Sequence, residues 1–112
     1  PMNETLDNLE RVIQSITRDY PLSQIKLLSI LPVNEGERYK QTVYIRTNEK
    51  IREWNQAYEA LASAYMQVDF VPIYDSLTDT EGQLQSAYTT DGLHLSVSGY
   101  QALSEALKGC LF

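Results

Sequence analysis

The 112-residue sequence is poor in the side chains that bind metals, form disulfides or attract polyanions. It has one cysteine, Cys110, and one histidine, His94. A single cysteine cannot form a disulfide within the chain, and one histidine with scattered carboxylates does not supply the convergent ligands of a zinc site. We therefore expect neither a metal nor another cofactor.

Positive charge and long apolar runs are scarce as well. Nine Lys and Arg residues stand against 15 Asp and Glu residues, so the net charge is −6, and the basic residues form no cluster. This balance argues against nucleic acid or an anionic membrane as a partner. No apolar run approaches the roughly 20 residues of a membrane-spanning helix, and there is no secretory signal pattern. We expect no membrane span and a cytoplasmic location.

The remaining composition, with 43% hydrophobic and 21% charged residues, is typical of one globular domain. Apolar residues at helical spacing predict a first helix that is capped by Asn3 or Thr5 and ends before Tyr20. The same spacing predicts a second helix that begins after a cap at Thr47 or Asn48. Its aromatic stripe is typical of core packing.

Two short apolar segments flank the second helix and predict strands. Residues Ile25–Leu31 form a run typical of a strand that is buried on both faces. Residues Val68–Tyr74 predict a second strand at a sheet edge, because Pro72 cannot donate to a ladder. Strand, helix and strand in this order predict a parallel pair joined by a right-handed crossover.

The stretch with the clearest chemistry lies near the end of the chain. Asp91 and His94 are three residues apart across an Asp-Gly turn signal. Ser98, followed three residues later by Gln101, predicts a capping box that opens a last helix. When an aspartate accepts a hydrogen bond from one ring nitrogen of a histidine, the other ring nitrogen is free to deprotonate a hydroxyl. The alternative is a turn in which the pair makes a purely local, structural hydrogen bond.

The run from Asp91 to Leu95, followed by Ser98-Gly99-Tyr100 and a helix, resembles the last conserved block of the SGNH (GDSL-type) hydrolases. These are serine esterases and lipases. Residues 3–107 are most similar to the bacterial relatives of the platelet-activating-factor acetylhydrolase catalytic subunit. The resemblance implies that Asp91 and His94 are the acid and base of a catalytic triad. It also implies an α/β fold, a partial three-layer α/β/α (flavodoxin-like) arrangement with two parallel strands and about three helices.

The sequence lacks the other blocks of that family. It contains neither the Gly-Asp-Ser block of the nucleophile nor the Gly-x-Asn-Asp of the oxyanion hole. We therefore expect residues 1–112 to be the C-terminal portion of a single SGNH hydrolase domain that is inactive alone and whose N-terminal portion is absent. The intact enzyme would act on a small acyl ester. The resemblance also implies that the Ile25–Leu31 strand has lost its inner neighbour, which predicts association with the missing half or with a second copy along that edge. The alternative is a non-catalytic α/β module that serves binding or assembly.

Overall fold

The computed structural model describes residues 1–111, and for residue 111 the backbone only. In chain order, its main elements are α1 (Met2–Asp19), β1 (Ile25–Leu28), α2 (Lys40–Val43), α3 (Asn48–Ser63), β2 (Val68–Val71) and α4 (Val97–Leu111). Single 3-10 turns cover Glu37–Tyr39, Asp75–Leu77 and Ser86–Tyr88. The strands are parallel, with Ile25 opposite Val68 and Leu28 opposite Val71. The predicted α/β class and parallel pair are confirmed, and the short α2 adds a fourth helix to the three that were expected.

Three helix caps were predicted from the sequence, and the structure confirms one of them. Thr47 caps α3 as predicted, because its Oγ1 accepts from the Lys50 N–H at 3.2 Å. The prediction that Asn3 or Thr5 caps α1 is wrong, since the helix begins at Met2 without a side-chain cap. Its first N–H groups lie at an exposed end, where water can satisfy them.

The last helix also begins earlier than predicted. α4 starts at Val97, so Ser98 is already inside the helix, and the predicted capping box is wrong. The Oγ of Ser96 accepts instead from the Gly99 N–H at 3.2 Å, which is the bond expected of an N-cap three residues before its partner. The sequence has serines at positions 96 and 98, and in the structure the first of them makes the capping hydrogen bond.

Both strands are shorter than predicted, and β1 is covered on one face only. The prediction that it is buried on both faces is wrong, because Leu28 is 37% exposed and Lys26 is exposed beside it. The helices α1 and α3 pack on the face that carries Ile25 and Leu27. On the opposite face, Lys26 forms a 2.7 Å ion pair with Asp69. Such exposed pairs contribute at most about 1 kcal/mol.

The core has two parts, and the second positions the candidate site. The first is centred on Ile13 of α1, Ala62 of α3 and Val68 of β2. The second lies beyond the carboxyl end of β1 and consists of the buried residues Val33, Tyr39 and Val43, with Ile51 and Leu93 packed against them. Among the described residues, no helix is long and apolar enough to cross a bilayer.

Candidate active site

Asp91 and His94 meet in a tight turn that Asp91 itself organises. The Oδ1 of Asp91 accepts from two backbone N–H groups, those of Leu93 at 2.9 Å and His94 at 2.8 Å. Gly92 has a φ of +84°, a left-handed conformation that glycine adopts at no steric cost. The Asp-Gly signal in the sequence therefore marks a turn in which one carboxylate oxygen is fully used by the backbone.

The second carboxylate oxygen holds the imidazole. The Oδ2 of Asp91 lies 2.7 Å from the Nδ1 of His94. The Asp91 side chain is 32% exposed, whereas that of His94 is 74% exposed. With Nδ1 directed to the carboxylate, the neutral ring carries its proton there. Nε2 is then an unprotonated base that has no hydrogen-bond partner among residues 1–111.

The hydrogen bonds of the turn lower the pKa of the Asp91 carboxyl well below its usual range. The largest cause is the bond from the His94 ring, followed by the bonds from the backbone N–H groups of His94 and Leu93. Each of these donors favours the ionised carboxylate. Asp91 therefore stays a hydrogen-bond acceptor throughout the physiological pH range.

We expect the stabilising contribution of Asp91 to be present at neutral pH and to be lost in acid. A carboxyl whose folded pKa is depressed stabilises the fold above its unfolded pKa of about 3.9, and this stabilisation disappears as the pH falls towards the folded value. The urea midpoints of the wild type and Asp91→Asn should therefore converge below about pH 4. The exposed Asp7 in α1 provides a control as Asp7→Asn. A midpoint difference for Asp91→Asn that does not change with pH would contradict this assignment.

Thr89 stabilises the turn through hydrogen bonds of its side chain, although the sequence analysis did not identify this residue. It is buried, its Oγ1 accepts from the Gly92 N–H at 2.9 Å, and the same hydroxyl donates to the His94 carbonyl at 2.6 Å. Thr89 and Leu95 also form an isolated antiparallel bridge. The signal that could have revealed it is a threonine two residues before an Asp-Gly pair, since Ser and Thr hydroxyls bond nearby backbone in turns.

The start of α4 is packed closely against the segment that leads into the turn. A Cβ at Gly99 would lie 2.3 Å from the carbonyl oxygen of Tyr88, so only glycine permits this approach. The Ser96 N–H also donates to the Tyr88 carbonyl, at 2.8 Å. Tyr88, which precedes the Asp91–His94 turn, is therefore held against Ser96 and Gly99, which follow it.

The turn lies at the carboxyl-end side of β1, where ligands bind in open α/β sheets. The Asn34 N–H donates to the Gly92 carbonyl at 2.8 Å and connects the turn to the loop that follows β1. Leu93, next to His94, forms one wall of a mostly apolar cleft of about 610 Å³ between the end of β1 and the start of α3. Among the described residues, no group of three or more His, Cys, Asp or Glu side chains could hold a metal ion.

Comparison with known sequences finds relatives of one kind. Residues 1–102 match the family described as GDSL-like lipase/acylhydrolase. The chain is 26% identical over 112 residues to a GDSL esterase/lipase of Oryza sativa subsp. japonica, and 28% identical over 109 residues to one of Arabidopsis thaliana. These matches cover 96% and 88% of this chain but 42% and 44% of those proteins. The chain thus spans less than half the length of either relative.

Solved structures share the fold over the whole chain. A Streptococcus pneumonia protein, described provisionally as a platelet activating factor, is 70% identical and superposes with a TM-score of 0.97, over 100% of this chain and 52% of that protein. A GDSL-like lipase of Bacteroides thetaiotaomicron, 23% identical, superposes with a TM-score of 0.76 over 98% of this chain and 52% of its own. These similarities confirm the α/β fold that the SGNH resemblance implies.

Proposed function

The chain belongs to the GDSL-like lipase/acylhydrolase family, and from this premise we propose that it supplies the acid and base of a serine ester hydrolase. The observation that carries the proposal is the 2.7 Å contact between Asp91 Oδ2 and His94 Nδ1, which leaves Nε2 of the only histidine free. A base with one nitrogen oriented by a carboxylate and the other exposed is the arrangement that activates a serine hydroxyl.

In this proposal His94 moves protons and Asp91 orients it. Nε2 takes the proton of the serine hydroxyl as the serine oxygen attacks the ester carbonyl, and the imidazolium then protonates the leaving alkoxide. In the second half of the reaction, Nε2 takes a proton from water, which attacks the acyl-serine, and returns it to the serine oxygen. Asp91 keeps the productive tautomer and stabilises the imidazolium while it is present.

The serine and the oxyanion donors come from polypeptide outside residues 1–112, because the sequence contains no Gly-Asp-Ser or Gly-x-Asn-Asp block. We propose that the chain is the C-terminal portion of one hydrolase domain and is inactive alone. Loss of one oxyanion donor already costs about 10²–10³ in rate, and this chain lacks the nucleophile as well. The substrate is a small acyl ester, and the apolar cleft beside Leu93 offers space for its acyl group.

The missing portion would dock along the free edge of β1. Ile25 and Ser29 donate to the carbonyls of Gln67 and Val71, so these residues direct their backbone groups to β2. Because backbone groups alternate along a strand, Lys26 and Leu28 direct theirs to the open side. This edge ends at Ile30, whose N–H and carbonyl are already bonded by the Asn55 side chain at 2.7 and 3.0 Å.

The opposite edge of the sheet is less suited to another strand. By the same alternation, the outward groups of β2 continue towards Pro72, which has no N–H to donate. An added strand would therefore pair with β1. We propose that its source is the complementary half of the hydrolase domain, and that a second copy of this chain occupies the edge when that half is missing.

The proposal is tested by restoring the missing portion. We expect the chain alone to leave an activated short-chain ester unhydrolysed above background. The remaining part of the Streptococcus pneumonia relative, to which this chain has no match, should supply the missing portion. When the chain is fused to or mixed with that part, the resulting complex should hydrolyse the ester. A folded complex without activity would contradict the hydrolase and favour a non-catalytic binding or assembly module.

A further inference from the structure

The Asp91–His94 turn is bonded internally, and the loop that follows β1 connects it to the sheet through the buried residue Asn34. Asn34 is buried, and both polar atoms of its side chain form hydrogen bonds within the loops. Nδ2 donates to the Leu84 carbonyl at 2.7 Å, and Oδ1 accepts from the Gly36 N–H at 2.9 Å. These two bonds fix the orientation of the Asn34 backbone, whose own N–H donates to the Gly92 carbonyl at 2.8 Å.

Close packing accompanies this hydrogen bond. A Cβ at Gly92 would lie 2.5 Å from the Cβ of Tyr39 and 3.0 Å from the carbonyl oxygen of Asn34. The backbone of the turn therefore rests directly on both residues. The Tyr39 hydroxyl is buried and has no hydrogen-bond partner among residues 1–111, so this side chain contacts the turn through packing and not through a hydrogen bond.

The loop that carries Asn34 is in turn fixed to α3. Asn48, the first residue of α3, is almost fully buried and bonds both backbone groups of Val33. Its Oδ1 accepts from the Val33 N–H at 2.9 Å, and its Nδ2 donates to the Val33 carbonyl at 2.7 Å. The Leu84 N–H donates to the same carbonyl at 3.1 Å. Hydrogen bonds between Asn48 and Val33 and between Asn34 and Gly92, joined by the peptide bond from Val33 to Asn34, thus connect α3 to the turn.

We propose that Asn34 is a positioning residue for the Asp91–His94 pair, an inference that rests on the proposed function. The pair forms through its own turn, so Asn34 is not needed to bring the carboxylate and the imidazole together. It determines where the pair lies relative to the carboxyl end of β1, and therefore relative to a serine carried by the rest of the domain. Displacing a catalytic group by about 1 Å can cost on the order of 10²-fold in rate.

Asn34→Asp is the most direct test, measured in the assembled enzyme. The substitution keeps the shape and the acceptor for Gly36 but replaces the donor to Leu84 by an oxygen. We expect kcat to fall by about 10- to 100-fold with KM within about twofold. Asn34→Ser has a smaller side chain whose hydroxyl can still donate a hydrogen bond, so it should lower kcat less. It replaces Asn34→Asp as the test variant if Asn34→Asp does not fold.

Two measurements distinguish a positioning role of Asn34 from a general disruption of the fold. When only this chain of the assembled enzyme carries the ¹⁵N label, its single histidine gives one set of imidazole resonances, and their ¹⁵N shifts at alkaline pH report which ring nitrogen carries the proton. In Asn34→Asp, the Nδ1–H signature of the Asp91 contact should persist although kcat has fallen. Gln67→Glu is the matched control, since it removes an amide donor to the carbonyls of Pro21 and Ser23 at the amino ends of the strands, and it should leave kcat unchanged.

Several results would overturn the inference. These are an Asn34→Asp enzyme with kcat within about threefold of the parent, an equal loss in Gln67→Glu, or loss of the Nδ1–H signature together with activity. The proposed function is tested separately, because it fails if the folded complex is inactive or if His94→Ala keeps the activity of the assembled enzyme. If His94→Ala is inactive while Asn34→Asp is unaffected, the hydrolase assignment stands and the positioning role is wrong.

Discussion

Replacing His94 by alanine should lower the ester-hydrolysing turnover of the assembled enzyme by about four orders of magnitude or more. The reason is that Nε2 performs every proton transfer in the proposed reaction, and the sequence contains no second histidine to replace it. The measurement is kcat and KM for an activated short-chain ester, with burst kinetics to show whether an acyl-enzyme still forms. KM should change little, because the imidazole does not hold the ester in its ground state.

Asp91→Asn should reduce turnover by a comparable factor while the turn remains folded. The asparagine Oδ1 can still accept from the backbone N–H groups of Leu93 and His94, but its amide presents a donor to Nδ1. The ring is then driven to the tautomer that carries its proton on Nε2, where it cannot act as a base. Because Asp91 and His94 act as one unit, the double variant should be hardly slower than His94→Ala alone.

The control for both variants is Thr90→Ala, because Thr90 is an exposed residue of the same segment and its hydroxyl forms no hydrogen bond within the part of the chain that the structure describes. It should retain turnover close to that of the parent. If His94→Ala stays within a few-fold of the parent in an assembly that hydrolyses the ester, then the contact between Asp91 and His94 is structural, and another group performs the proton transfer.

The local features of this chain could be read from the sequence, whereas the contacts that position the site could not. Asp91 and His94 are three residues apart, so turn chemistry alone predicts that they can meet. Thr47 was identified as a cap because its partner lies in the next turn of the helix. In contrast, Asn48 bonds Val33 across 15 residues, and Asn34 bonds Leu84 across 50. No periodic sequence pattern indicates hydrogen bonds between residues so far apart in the chain. A buried asparagine also cannot be distinguished, from the sequence, from an exposed asparagine in a loop.

The error about β1 has a different physical origin. An apolar run such as Ile25–Leu31 predicts burial on both faces because continuous apolar strands are usually covered by helices on each side. In this chain, α1 and α3 cover one face, while α4 packs beside the 3-10 turns that precede the candidate site. The exposed Leu28 therefore marks a face that this chain does not cover itself. This agrees with a chain that spans about half of its structurally matched relatives.

The free edge of β1 gives the second large expected effect. Leu28→Pro should weaken binding of the chain to its complementary half by about 100-fold or more. Proline removes the outward N–H of the edge, which leaves the carbonyl that it would have bonded unpaired at a cost of about 1–3 kcal/mol. Its ring also obstructs an approaching strand. Pairing with β2 should persist, because residue 28 directs its backbone groups away from that strand. Isothermal titration calorimetry with the complementary polypeptide measures the effect.

Leu28→Ala separates backbone pairing from side-chain packing at the same position. It shortens the exposed side chain but keeps the N–H, so it should bind far more tightly than Leu28→Pro. In the absence of the complementary half, sedimentation should show self-association of the parent chain that Leu28→Pro reduces. A well-folded monomer at high concentration would argue against pairing of two copies. Unchanged affinity of Leu28→Pro for the complementary half would mean that the two parts meet through another surface, because strand addition at this edge cannot tolerate both the lost donor and the added ring.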